Sequence, residues 1–278
     1  MTTLKTIIDY LDSLAPRELS CPGDSDGIDV CFDYNMPAEK ILICLDVTMD
    51  AAKAARDGGY SLVVSHHSMM YNAVEKFDCK IQSAEKALYL ARNNIAAVSM
   101  HTRLDAAPGG VNDSLLEAIG VDPACAVGFG PADCDKIGRV FELEKPHSVE
   151  GFAVHIKNKL DEHYAANNAP FVKSRVDFVD NGRAVRRVAM VGGGGQSFFA
   201  DAIKENIDTF FTGEIKYPTL VELMDTRAEN GEKVNIIIAG HYETEAVVLE
   251  FLRRKIKTAF PEIEVKSYYS ERIKVVGV

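Results

Sequence analysis

An adjacent histidine pair, His66-His67, stands one residue after the apolar run Ser61-Leu62-Val63-Val64, across Ser65, and no other feature constrains this chain as much. A short apolar run bounded by turn residues reads as a buried strand, so the pair is delivered at a strand's end. Neutral imidazole is the commonest side-chain ligand for divalent transition metals, and two in succession can serve two ions or two faces of one. The plan recurs along the chain: His101 and Asp105 follow Ile95-Ala96-Ala97-Val98, Gly213-Glu214 follow Phe210-Phe211-Thr212, and Gly240-His241 with Glu245 follow Ile236-Ile237-Ile238. In open α/β sheets ligands collect at the carboxyl ends of strands. A lone histidine in such a place is more often a core or capping residue, but four of the seven histidines share it, and this points to a metal site. His241 and Glu245 are four apart at the start of a helix and can project to one point, whereas His101 and Asp105 fall where Pro108 and two glycines suggest a loop.

Between these sites the pattern alternates. Apolar residues at Leu4, Ile7, Ile8 and Leu11 predict a helix ended before Pro16, and residues 40–47 read as a buried strand. Residues 50–56 form a helix closed by Gly58-Gly59, 60–65 the strand that carries the histidine pair, 83–93 a helix capped by Ser83, and 95–100 a third strand. Strands alternating with helices predict a largely parallel sheet. A short helix over 113–119 is closed by Gly120, and aperiodic residues 121–136 suit a connector. The expected class is therefore α/β, two α/β lobes with mostly parallel sheets flanked by helices: residues 1–125 carry His66, His67, His101 and Asp105, and residues 126–278 carry Glu214, His241 and Glu245.

In the second lobe Ser148 caps a helix to about Tyr164, residues 171–179 read as a strand, and Asn181-Gly182 signals a two-residue hairpin turn into a strand at 187–191. Gly192-Gly193-Gly194-Gly195 follows, then a helix over 198–206. No Lys-Ser/Thr completes a phosphate loop, so a tight strand-to-helix turn competes with an anion contact. Strands at 208–212 and 233–238 and helices at 218–228 and 243–259 complete the lobe. His147, His155 and His163 lie around a polar helix and read as surface residues.

The formal net charge of −10 argues against non-specific nucleic-acid binding. No run approaches a membrane span of about 18 apolar residues, and the six cysteines lack Cys-x-x-Cys spacing. A cytoplasmic protein with reduced thiols, without nucleic-acid or membrane partners, is the expectation.

The segments Leu45-Asp46-Val47-Thr48, Val64-Ser65-His66-His67-Ser68, His101-Thr102-Arg103-Leu104-Asp105 through Asn112, Phe211-Thr212-Gly213-Glu214-Ile215-Lys216 and Ala239-Gly240-His241-Tyr242-Glu243-Thr244-Glu245 together resemble the GTP cyclohydrolase I type 2 family, the Nif-three-like dinuclear-metal proteins. The family's usual Asp-Asn-x-Gly-Leu segment is replaced here by Ser25-Asp26-Gly27-Ile28-Asp29-Val30, and Ser68 stands where proline is common. The resemblance implies that His66, His67, Asp105, His241 and Glu245 hold two divalent metal ions between the lobes, with Glu245 bridging, while His101 and Glu214 line the cavity. It also implies a ring-shaped homohexamer. Mixed nitrogen and oxygen ligands accept zinc, iron, manganese, cobalt or nickel. The function expected from it is a metal-dependent hydrolase, opening a purine nucleotide such as GTP through a hydroxide shared by the ions, with Glu214 or His101 as proton carrier. The competing expectation is a non-catalytic metal-binding, regulatory or scaffold protein.

Overall fold

The computed structural model describes residues 2–134, 136–228 and 230–270 and divides into two compact units. The first begins with helix α1 (Leu4–Leu14), which buries Leu4, Ile7, Ile8 and Leu11 and is capped by the Thr3 hydroxyl. Strand β1 (Gly27–Val30) follows, then β2 (Lys40–Cys44), helix α2 (Met49–Asp57), β3 (Leu62–Ser65), α3 (Gln82–Arg92), β4 (Ala96–Ser99) and the short helix α4 (Thr102–Ala106).

The second unit runs through α5 (Val111–Ile119), β5 (Val127–Phe129), β6 (Gly138–His147), α6 (Val149–Ala166), β7 (Asp177–Val179) and β8 (Val185–Val191). It continues with α7 (Phe199–Ala202), β9 (Thr209–Thr212), α8 (Tyr217–Asp225), β10 (Asn235–Ile238) and α9 (His241–Glu245). The closing elements α10 (Val248–Ala259) and β11 (Glu264–Tyr268) return to the first unit.

The first sheet has the order β1-β4-β3-β2-β11, in which β4, β3, β2 and β11 are parallel and only β1 is antiparallel. Small side chains make the helix packing possible. Ala51, Ala52 and Ala55 of α2 and Ala87 and Leu90 of α3 share one buried cluster with Leu42, Val63 and Ala97 of the strands. The second sheet has the order β5-β6-β8-β9-β10-β7, with a parallel centre of β8, β9 and β10. The two α/β units with largely parallel sheet centres match the expected class.

The boundary does not fall at 125/126. It lies at Ala107, and residues 249–270 belong to the first unit because β11 adds to the free edge of β2 in parallel register, Glu264 opposite Lys40 through Tyr268 opposite Cys44. Three local expectations are also corrected. Asn181-Gly182 makes no hairpin, since β7 pairs with β10, and Asn181 instead bonds to Asn235 Oδ1 and the Val234 carbonyl. The stretch after Phe198 breaks into 3-10 turns around α7, and the last helix splits into α9 and α10. Among the described residues Cys31, Cys44, Cys79 and Cys125 are free thiols. Among the described residues no helix is long and apolar enough to cross a membrane.

One buried ion knot fixes α4 in the first unit. The Arg103 side chain is fully buried, pairs with Asp12 at 2.6 Å and Asp26 at 2.9 Å, and donates to the carbonyls of Ala15 and Ser99. Removing one partner of a buried pair strands the other charges. Arg103→Ala should therefore lower unfolding free energy by about 3–5 kcal/mol in urea titration. A loss below about 1 kcal/mol would show that the knot does not carry the local fold.

Candidate metal centre

In the first unit the ends of β3 and β4 bring three imidazoles together. His66, His67 and His101 offer ligand atoms within 4.8 Å of one another, a group that could hold a metal ion. Their ring centroids lie 4.8 Å (His66 to His67), 5.3 Å (His66 to His101) and 5.6 Å (His67 to His101) apart. The parallel register of β3 and β4, Ser65 opposite Ser99, is what aligns the two strand ends.

Each ring is held through its Nδ1 atom. His66 Nδ1 donates to the Met100 carbonyl at 3.1 Å, His67 Nδ1 to Asp46 at 2.8 Å, and His101 Nδ1 to Asp24 at 2.8 Å. With the proton on Nδ1, each Nε2 keeps its lone pair for a ligand, which is how histidines around metals are normally oriented. Asp105 also joins this group, its Oδ1 lying 3.7 Å from His66 Nε2. The expected loop at 101–105 is in fact the N-terminal turn of α4, so helical spacing places His101 and Asp105 on one side.

Asp24 is almost fully buried and also accepts from the Thr102 amide at 2.9 Å and from the Thr102 hydroxyl. Burial alone would raise its pKa, but the His101 and Thr102 hydrogen bonds and the His101 charge outweigh this and hold the carboxyl well below the usual range. Burial likewise opposes charge on His101, yet the Asp24 hydrogen bond and the nearby Asp105 carboxylate raise its pKa. Behind the pair, Asp29 accepts from the Ser68 hydroxyl at 2.9 Å and anchors the start of the next loop; burial raises its pKa.

The second unit presents its own group at the mouth of β10. His241 Nδ1 lies 2.8 Å from Glu214 Oε2 and His241 Nε2 lies 3.2 Å from Glu245 Oε2. Glu245 is buried, whereas the Glu214 side chain is 54% exposed. Glu214 thus stands to His241 as Asp46 stands to His67: a carboxylate that orients a ring. The helical spacing read for His241 and Glu245 is confirmed in α9.

The four glycines after β8 serve this group. Gly193 has φ +61°, and a Cβ there would overlap Glu245 Oε1 and come within 3.2 Å of His241 Nε2. The amides of Gly192, Gly193 and Gly195 donate to Asn112 Oδ1, Thr244 Oγ1 and Thr212 Oγ1. Those three amides are committed within the protein and so are lost to an anion, and the loop is a tight turn that lets Glu245 approach the backbone. Asn112 completes the clasp by donating to the Ile137 carbonyl at 2.8 Å.

The sequence-based site omitted Asp24, Asp46 and Asn112. Asp46 sits in a segment already singled out, but Asp24 lies in Asp24-Ser25-Asp26-Gly27, which reads as ordinary turn chemistry. His147, His155 and His163 are absent from both groups, and His155 bonds to the Ile119 carbonyl.

The sequence profile of the Duf34/NIF3 (NGG1p interacting factor 3) family matches residues 2–274. A GTP cyclohydrolase 1 type 2 homolog of Clostridium perfringens is 30% identical over 255 residues, 91% of each chain. NGG1-interacting factor 3 of Saccharomyces cerevisiae is 26% identical over 222 residues, 76% of this chain and 72% of that one. Among solved structures, a Bacillus cereus protein related to NIF3 superposes with a TM-score of 0.78 at 19% identity, covering 100% of this chain and 99% of that one. A Staphylococcus aureus hypothetical protein reaches 0.79 at 21% identity over 99% of both. At these identities the structural likeness is one of fold.

The glycine clasp predicts a difference between two substitutions. Gly59 has φ +68° with open space around its Cβ position, so Gly59→Ala should cost about 1 kcal/mol of backbone strain. Gly193→Ala carries the same strain plus the overlap with Glu245 and should cost at least about 2 kcal/mol in chemical denaturation. Equal losses would mean that the approach of Glu245 is unimportant.

Proposed function

The chain belongs to the Duf34/NIF3 family, and from that premise we propose that it is a dinuclear metal-dependent hydrolase acting on a purine nucleotide such as GTP. The observation that carries this reading is the Nδ1 tethering of His66 and His67, which turns two imidazole lone pairs to one place beside the Asp105 carboxylate, with the ring of His101, itself tethered to Asp24, next to them. This donor chemistry fits a divalent ion of the zinc, iron, manganese, cobalt or nickel type. In the proposal two ions per chain draw on His66, His67, Asp105, His241 and Glu245. Bound ions of this kind supply Lewis acidity and lower the pKa of water.

The protein's own residues then have distinct tasks. Asp46 and Asp24 fix the rings of His67 and His101. Glu214, hydrogen-bonded to His241 and half exposed, takes the proton shed by an attacking water and passes it to solvent. His101, backed by Asp24, returns a proton to the departing nitrogen when the imidazole ring of the purine opens. The relatives named as GTP cyclohydrolase 1 type 2 homologs support the choice of substrate class. We propose further that the chain assembles as a homohexameric ring, as its resemblance to the family implies.

Chelation should abolish GTP hydrolysis and metal addition restore it. Glu214→Gln keeps an acceptor for His241 and removes the proton carrier, so kcat should fall by at least about 100-fold with metal content unchanged. Inactivity of the metal-loaded wild type across nucleotides and phosphoesters, with tight reversible metal exchange, would instead establish a metal-binding or regulatory protein.

A further inference from the structure

Residues 66–81, which start with the histidine pair, contain no helix or strand. Structureless loops of this length are uncommon in compact domains, and when ordered they usually carry function. This one is pinned at its root. Ser68 donates to Asp29, and Met69 is buried in the core cluster shared with α2 and α3. Two residues further on, Tyr71 is 71% exposed. Its ring nevertheless meets His101 edge to face, with centroids 6.4 Å apart and planes at 77°.

Tyr71 adds nothing to the core, yet the chain places its aromatic surface in water beside the three-imidazole group. The support beneath it is rigid, because Asp24, itself held by the Thr102 amide, locks His101. An aromatic ring held against a fixed imidazole, with most of its surface open, is a preorganised stacking surface; it binds a flat partner with little further loss of side-chain freedom. The chain's net charge of −10 offers no broad attraction to a phosphate tail, and metal ions that bind phosphate cannot tell one base from none.

We propose that Tyr71 is the aromatic platform of this site, stacking the planar heteroaromatic ring of the substrate and so setting selectivity for ring-bearing ligands. The inference rests on the hydrolase reading for its substrate class. Stacking of a base on an aromatic side chain changes affinity by about tenfold or more and tolerates any flat ring. The phenol hydroxyl is not required for it, so phenylalanine should serve as well.

The test compares GTP with inorganic tripolyphosphate on metal-loaded full-length protein by titration calorimetry, with GTP turnover followed in parallel. The wild type should bind GTP at least about tenfold tighter than tripolyphosphate; Tyr71→Ala should erase that preference without weakening tripolyphosphate, and Tyr71→Phe should keep it. A preference that survives in Tyr71→Ala, or is lost in Tyr71→Phe, overturns the platform while leaving the hydrolase reading intact. Equal wild-type binding of the two probes also overturns it, and turnover then decides the hydrolase reading separately. Metal content and thermal melting of the variants identify any loss due to misfolding, which an exposed loop position should not produce.

Discussion

A histidine has two ring nitrogens, and committing one to an oxygen dictates what the other can do. His66, His67, His101 and His241 each commit Nδ1, to the Met100 carbonyl and to the carboxylates of Asp46, Asp24 and Glu214. Within each unit the candidate ligand group depends on these bonds more than on the proximity of its side chains. Without them the imidazoles would choose between tautomers and rotamers, and the lone pairs of His66, His67 and His101 would not converge. The acceptors come from separate stretches of each unit, so the orientation of the rings is a property of the fold. Asp24 reaches His101 because α4 is tied down by the buried Arg103, which joins α1, the turn before β1 and the end of β4 in one polar knot.

The second unit achieves comparable order with backbone. Thr212, Thr244 and Asn112 take the amides of the glycine loop, and the missing side chain at Gly193 makes room for the buried Glu245 carboxylate. A carboxylate packed against backbone in this way has few alternative positions, which suits a ligand that must be ready before an ion arrives. The same packing explains Gly193 and Gly195 without any phosphate-binding sequence, whereas a Cβ at Gly194 would meet only an ordinary contact, 3.8 Å from His241 Cε1. Gly195 also faces Thr212 and Gly213 faces Thr244, so small residues are demanded from both sides.

What could be read from residues alone followed physical periodicity. The buried strands β2, β3, β4, β9 and β10 are short apolar runs, and the groups they deliver were legible because a strand's end is an address on a sheet. The spacing of His241 and Glu245 held because α9 is helical from its first residue. The partners of the histidines were not legible. Asp24 is 77 positions from His101, and no local pattern separates a turn aspartate from one that grips a ring. The unit boundary failed for the same reason: β11 joins β2 across the length of the chain, and pairing between distant strands leaves no trace in either segment. Asn181-Gly182 looked like a hairpin because turn chemistry specifies a bend and not the strand that will lie beside it.

The central claim, that oriented imidazoles and carboxylates form a metal centre, is tested most directly by elemental analysis of protein purified without chelator or affinity tag. Wild type should carry about two divalent ions per chain, and Glu245→Ala and His66→Ala should each lose metal while remaining folded by circular dichroism. No metal in the wild type after reconstitution with zinc, iron, manganese, cobalt and nickel would contradict the account. The oriented rings of each unit would then be structural polar groups, and function would have to be sought elsewhere on the chain.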